Sequence, residues 1–520
     1  MITRKPFHPL ILVIFPTLSF LMYNAATTNM STAWRTVLII ELSAVMIWLI
    51  LSLIVRNVKF SALIVSIAGI CFFSCGHVVR FFEALFGRPM SFVGNILIWA
   101  CLCIMGIGIL IYSKGRFLDT ATGLLNLMSL FLLLFLIPPG LRAPSKSMVH
   151  YAPPPTPERD TATEKTRKHK SVMPHIYYII LDGYGRDDVL RRLYGMDNTP
   201  FIRALEKMRF YIPRQSSANY SQTALSLTSS LNMSLLEDLP LKMDPKSDDR
   251  TALTNLMAEN KISTVLKKRG YRRVCYTTGV YEWAFAFNTD VHPVKGRKFT
   301  EFEQQIISFT PLGDNRVLDS TFNQYEAHRK QIQYVIEHIP DTATDECSTY
   351  TFAHILAPHP PFVFDSSGKA VNPNTPFGLG DGRQGKSEKD YADKYRQQLT
   401  FLNTKLLEMV RSILDKCIIP PVIILQADHG PGLYWARADE KGFSERMPIF
   451  NAYHVSDECK KQLYETVTPV NTFPIILNCY FKTKIRPRPN KSYYSTWKKP
   501  FDFIDVTDRS PFTDKKDKGK

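Results

Sequence analysis

The long apolar runs of this chain are gathered at one end, and that decides most of what it can be. Up to Pro138 they follow one another almost without a break; beyond it charge, proline and short alternating segments take over. Four runs are long: residues 36–55, 60–75, 92–112 and 120–138. Each approaches or meets the roughly 20 residues a helix needs to cross a bilayer. A fifth, 9–23, is shorter and contains Pro16. It reads as a first span, because others follow at once; the other reading is the apolar core of a signal peptide cut near Ala25-Ala26. Averaged over 520 residues the segregation disappears: 45% hydrophobic and a mean hydropathy of −0.10 resemble an ordinary enzyme. The local pattern excludes both a disordered chain and a wholly soluble one.

Flanking charge orients the spans. Arg4 and Lys5 precede the first run, Arg56 and Lys59 separate the second and third, and Lys114 and Arg116 separate the fourth and fifth. Basic loops stay in the cytoplasm, so about five spans put the C-terminal part outside; four spans after a cleaved signal do the same. Arg80 and Arg88 then fall in an outer loop. Glu41 sits near the start of the second span, and Asp119 at a helix start, where a carboxylate suits the dipole. The expected organisation is transmembrane helices over 1–140, an extended linker over 141–173 and an extracytoplasmic domain over 174–520. The linker carries Pro153-Pro154-Pro155 and a basic cluster at 165–170. It reads as solvated chain, with charge able to rest on anionic headgroups.

The C-terminal part alternates strand-like and helix-like segments. Apolar β-rich runs occupy 175–181, 273–277, 350–356 and 422–426; helical periodicity covers 200–208, 251–269 and 387–416. In the last, Tyr391, Tyr395, Leu399, Leu402, Leu406, Met409 and Ile413 recur at steps of three and four. Such alternation predicts an α/β domain with a central, mostly parallel sheet covered on both faces, with its site at the carboxyl ends of the strands. Five cysteines fall here, Cys275, Cys347, Cys417, Cys459 and Cys479, an odd number with no zinc-knuckle spacing. Their pairing is not readable.

Three chemical features end apolar strands. Asp182-Gly183-Tyr184 follows the first, and Asp428-His429-Gly430 follows the last. The second offers an oxygen and an imidazole ligand side by side, and the pair suits a hard cation or zinc. Each triplet alone is a common turn; two after two buried strands are not. The third feature is His354 and His359, five apart, the second followed by two prolines. They suit a phosphoryl oxygen or a second metal. A core His354 and a loop His359 are the plainer alternative. A nucleophile is then needed, and residues 216–232 are dense in serine and threonine at a helix start. A hydroxyl there faces free N–H groups and the positive dipole end, although ordinary capping explains the composition equally well.

The ordered set DGY, NYSQTALSLTSSLN, HILAPHPPF and ADHG resembles the alkaline phosphatase/sulfatase superfamily. With the apolar runs before it, the chain resembles the membrane-anchored envelope branch, the lipoteichoic acid synthases and lipid A phosphoethanolamine transferases. The resemblance implies one divalent metal, zinc or manganese, held by Asp182, Thr223, Asp428 and His429, with Thr223 the nucleophile and Ser221 the next choice. It implies catalytic roles for His354 and His359 at the transferring group. Arg446 stands in for a histidine the transferases carry and this chain lacks, and Tyr434 and Trp435 are candidates to pack a substrate. No C/S-x-P-x-R motif occurs, which argues against ordinary sulfate-ester hydrolysis. No full ligand set for a second metal is found. The expected function is transfer of phosphoethanolamine or phosphoglycerol from a membrane phospholipid to an envelope glycan or lipid, through a phospho-threonine. A hydrolase of phosphate or sulfate esters is the alternative, and a non-catalytic receptor or scaffold the third reading. No nucleic-acid motif appears; the +17 charge suits anionic membranes or substrates.

Overall fold

In the computed structural model the described residues are 5–23, 30–86, 90–112, 117–142, 173–241, 243–276, 290–291, 301–312, 324–343, 348–372, 377–380 and 387–509. Apart from its ends, the linker expected at 141–173 lies outside them. So do the Ala25-Ala26 dipeptide and Arg4, Arg88, Lys114, Arg116 and Cys347. The chain forms two compact units: one takes in the N-terminal helices and the helix Glu301–Ser308, the other takes in both sheets.

The first unit contains α1 (His8–Tyr23), α2 (Met30–Val55), α3 (Val58–Phe86), α4 (Phe92–Tyr112) and α5 (Leu118–Arg142). Four of these, α2 to α5, are long and apolar enough to cross a membrane; α1 is shorter. Helix α3 runs past the apolar stretch that announces it, so Arg80 is helical and not in a loop. Its guanidinium bonds back to the Gly76 carbonyl and lies over the Phe309 ring. Lys59 and Asp119 form an ion pair. A buried polar seam ties α1 to its neighbours: Asn126 caps the Phe7 and His8 N–H groups, and His8 Nδ1 lies 2.7 Å from Ser66 Oγ. The helix Glu301–Ser308 has no counterpart among the helical segments read from the sequence. Glu303 accepts a two-pronged bond from Arg35 at 2.8 and 2.6 Å, and Phe302 and Ile306 join the apolar cluster.

In the second unit a five-stranded sheet has the order β2-β3-β1-β4-β5. Its strands are β1 (Ile176–Leu181), β2 (Arg272–Tyr276), β3 (Thr349–Ile355), β4 (Val422–Gln426) and β5 (Asn451–His454). The first four are parallel and β5 is an antiparallel edge. Strands β1, β3 and β4 are buried on both faces, which is why they read as continuous apolar runs. Side chains alternate. Tyr177, Ile179 and Leu181 enter one core, and Ile176, Tyr178 and Ile180 the other. The even-numbered face also takes Tyr350, Phe352, Val422 and Ile424, together with Leu227 and Leu231 of the helix Thr223–Asn232. The helix Glu388–Lys416 covers the opposite face with Tyr391, Tyr395, Leu399, Leu402, Leu406, Met409 and Ile413. Ser387 caps it by accepting from the Asp390 N–H. The helix expected over 251–269 is two, Thr251–Ala258 and Lys261–Lys268. Asn260 interrupts the pattern and caps the second through the Ser263 N–H, a bond that favours a helix start over a helix interior. A two-stranded sheet, β6 (Tyr493–Thr496) and β7 (Lys499–Asp505), completes the unit, and Cys459 and Cys479 form a disulfide.

Candidate active site

Parity builds the site. Asp182, His354 and Asp428 lie on adjacent strands or just past their ends, and all three continue the same face of the pleat. Register levels them: Ile180 is opposite both His354 and Gln426, so each aspartate falls two positions beyond a common row. All three residues are buried, and one ligand atom from each lies within 4.8 Å of the others. His354 Nε2 is 2.9 Å from Asp182 Oδ2. Asp428 Oδ1 accepts from the N–H groups of Gly183 and His429 at 3.3 and 3.0 Å. The other oxygens, Asp182 Oδ1 and Asp428 Oδ2, have no hydrogen-bond partner. Two unsatisfied oxygens on two buried carboxylates carry a large desolvation cost, and a divalent cation is the natural complement to such a donor set.

His429 supplies the fourth donor. Its Nε2 is 3.3 Å from Asp428 Oδ2 and 3.6 Å from Asp182 Oδ1. Arg446 Nη2 lies 3.1 Å from the same nitrogen. A guanidinium donates only, so here Nε2 is the acceptor and the ring proton sits on Nδ1, 3.0 Å from the Gly430 carbonyl; the single Nε2 lone pair serves a cation once Arg446 gives it up. Burial alone would raise the Asp182 pKa. The imidazoles of His359, His354 and His429 outweigh it and hold this carboxyl well below the ordinary carboxylate range.

Thr223 is the first residue of its helix, and its Oγ1 lies 3.0 Å from His429 Nε2. Most other hydroxyls of the segment are occupied elsewhere. Ser226 donates to the Asp428 carbonyl, Thr228 to Ala224 and Ser229 to Ser234. Ser221 is buried, donates to the Ser495 carbonyl and accepts from the Ser495 N–H, both at 2.9 Å. A hydroxyl-rich helix start therefore resolves into one group that faces the imidazole and several that bind backbone.

The loops are held by residues the motifs do not contain. Tyr395 donates to the Gly183 carbonyl and accepts from Gly185 N–H. Gln398 accepts from Val363 N–H and donates to the carbonyls of Pro358 and His359. His359 in turn gives its N–H to the Asp182 carbonyl at 3.0 Å. Its ring centroid is 6.4 Å from that of His429. Sequence offers a faint signal for Gln398, a polar residue beside Leu399 on the buried face of a helix. Gly430 donates to the Arg446 carbonyl, and a Cβ on it would meet the Glu445 oxygen at 2.3 Å, so only glycine fits.

The remaining candidates divide. Arg446 is buried, donates to the carbonyls of Ser221 and Gly430, and lies over the Trp435 ring at 4.5 Å. Charge and indole thus reach the His429 side of the site. Tyr434 is buried with its hydroxyl given to Glu388 and its backbone N–H to Glu445; its polar end does not join the cluster.

No family model and no curated protein matches the sequence. Solved structures do. A zinc complex of the C-terminal periplasmic domain of EptC from Escherichia coli is 12% identical over 66% of this chain and 95% of its own, TM-score 0.40. The integral membrane lipooligosaccharide phosphoethanolamine transferase A from Neisseria meningitidis is 10% identical, over 92% of this chain and 95% of its own, TM-score 0.40. The lipoteichoic acid synthase from Listeria monocytogenes is 12% identical over 63% and 76%, TM-score 0.38. The solved structures to which the chain is similar in fold are thus phosphoethanolamine transferases, a lipoteichoic acid synthase and sulfatases.

Proposed function

We propose that this chain is a membrane-bound, metal-dependent phospho-group transferase with Thr223 as its nucleophile. One observation supports the reading above all others: a helix-start hydroxyl faces His429 Nε2 beside two buried carboxylates with unmatched oxygens. In this reading Asp182, Thr223, Asp428 and His429 hold the cation, and His354, set against Asp182, is a further donor within reach. Such a cation supplies Lewis acidity and lowers the pKa of a bound hydroxyl. The chain's own groups do the rest. Thr223 Oγ1, its proton lost to solvent, forms a bond to phosphorus while the bond from phosphorus to the lipid oxygen breaks. His359 hands a proton to the leaving oxygen, and Arg446 offsets charge on the transferring group. The acceptor hydroxyl then attacks phosphorus, giving its proton to His359, as the bond from phosphorus to Thr223 Oγ1 breaks.

The donor is a membrane phospholipid, the group phosphoethanolamine or phosphoglycerol, and the acceptor an envelope glycan or lipid. The N-terminal part is the membrane anchor of 1–140, the 141–173 segment the linker, and 174–520 the extracytoplasmic catalytic domain. The Cys459–Cys479 disulfide supports that location, since such bonds persist outside the reducing cytosol. Anchoring keeps enzyme and lipid donor on one surface and raises their effective concentration.

The test is mass spectrometry of envelope lipids and glycans from cells with the wild-type gene, a deletion or Thr223→Ala. The reading expects one phospho-substituent to vanish in the deletion and in the variant alike. An unchanged envelope, with soluble-ester hydrolysis by the purified chain, replaces transferase by hydrolase.

A further inference from the structure

A cavity lies in the same unit as the candidate metal site and is lined by none of its candidate ligands. Its volume is about 530 Å³, inside the roughly 300–1,000 Å³ of small-ligand sites. Three arginines line it, Arg186, Arg214 and Arg509, against a single acid, Asp188. Arg186 is fixed: its fork holds both Asp188 oxygens at 2.7 and 2.8 Å, and its remaining Nη1 donates to the Ser216 carbonyl. That pair cancels its own charge. Arg214 and Arg509 differ. Their side chains are 47% and 51% exposed, and their acid partners, Glu206 and Glu440, are exposed as well. Exposed pairs of this kind hold weakly, so both guanidiniums can turn to an incoming anion.

The rest of the wall is hydroxyl and amide, with Met447 and Val506 the apolar members. It is preorganised. Asn490 Oδ1 accepts from Tyr464, Thr468 and Asn471 together, which fixes that side chain in one orientation. The space exceeds what a bare anion fills; Thr468, Ser492 and Thr507 give their hydroxyls to Asn490, Ala218 and Asp505, so Gln215, Ser217 and Thr466 are the groups left to a polyol. We propose that this cavity binds a phosphorylated sugar, its phosphate taken by Arg214 and Arg509 and its hydroxyls by the polar wall. The site stands apart from the catalytic reading and needs no metal.

Calorimetric titration of the full chain in detergent tests it, with glucose 6-phosphate, glucose, inorganic phosphate and glycerol 3-phosphate as probes. Glucose 6-phosphate binds one per chain and more tightly than the other three. The Arg214→Gln/Arg509→Gln double variant, folded by circular dichroism, weakens it at least about tenfold. Asp428→Asn leaves it unchanged. No heat with glucose 6-phosphate, or equal affinity in the arginine double variant, overturns the proposal. Loss of binding in Asp428→Asn moves the ligand to the metal centre and also overturns it. Inorganic phosphate binding as tightly as the sugar phosphate removes the sugar. Glycerol 3-phosphate doing so assigns the cavity to a lipid headgroup instead.

Discussion

The two units place polar and apolar groups in opposite ways. In the helical unit Leu53, Ile54 and Ile104 are 79%, 72% and 71% exposed, while His8, Ser66 and Asn126 are buried. In the sheet unit the described large apolar residues are inside, with Ile418 and Trp497 the exposed exceptions. An apolar exterior is stable against lipid and costly against water. The inversion is therefore a statement about solvent, made separately by each unit. Their buried polar groups differ too. His8, Ser66 and Asn126 bond to each other or to helix ends, which is structural work, though His8 Nε2 and Glu41 Oε2 have no hydrogen-bond partner there. Asp182 and Asp428 are carboxylates brought together at a sheet edge, with oxygens unmatched. The former tie helices together; the latter stand ready for a ligand.

The contrast can be broken by substitution. The largest effect is expected at Thr223: Thr223→Ala lowers turnover by about 10⁴-fold or more, with melting unchanged. Ser221→Ala, which loses only its bonds to Ser495, keeps turnover near wild type. Parallel assays of the two variants decide which hydroxyl reacts. Gly430→Ala forces a methyl onto the Glu445 carbonyl and should cost about 1–3 kcal/mol as well as displacing His429; thermal melting and activity then fall together. In the helical unit, Asn126→Ala removes the cap on α1 and should cost about 1 kcal/mol. Melting in detergent falls slightly while the metal stoichiometry of the sheet unit holds. A change in that stoichiometry would merge the two kinds of buried polar group.

The smallest effect concerns pH. Asp182 is held below the ordinary carboxylate range in the folded chain. Its contribution is complete above the unfolded value, near about 4, and is lost as pH falls toward the depressed folded value. Acid titration of metal-free protein should therefore show a steeper loss of stability below that point in wild type than in Asp182→Asn. Parallel curves would remove the ionised carboxylate from the account.

What was legible in the sequence follows the same physics. Strands β1 and β4 announce themselves because both faces are buried, and each motif acid stands just past the last apolar residue. The long helix Glu388–Lys416 shows through its periodicity and its Ser387 cap. The choice among hydroxyls was not legible from spacing, because it depends on Ser495, Asp428 and His429 arriving from elsewhere in the chain. The position of His354 against Asp182 needed the strand order β3-β1-β4, which parity alone does not supply. The helix Glu301–Ser308 was missed because its anchor, the Arg35–Glu303 pair, joins positions 268 apart in sequence. Asn260 split one periodic stretch in two by a single side-chain bond.

The central claim is that scattered donors converge on one cation beside Thr223. Zinc titration of the purified, metal-stripped chain followed by calorimetry tests it most directly, run on wild type, Asp182→Asn, Asp428→Asn and Ser221→Ala. The account predicts about one tightly held ion per chain in wild type and Ser221→Ala, and loss of that ion in both asparagine variants. Full, undiminished zinc binding in Asp182→Asn and Asp428→Asn would contradict it.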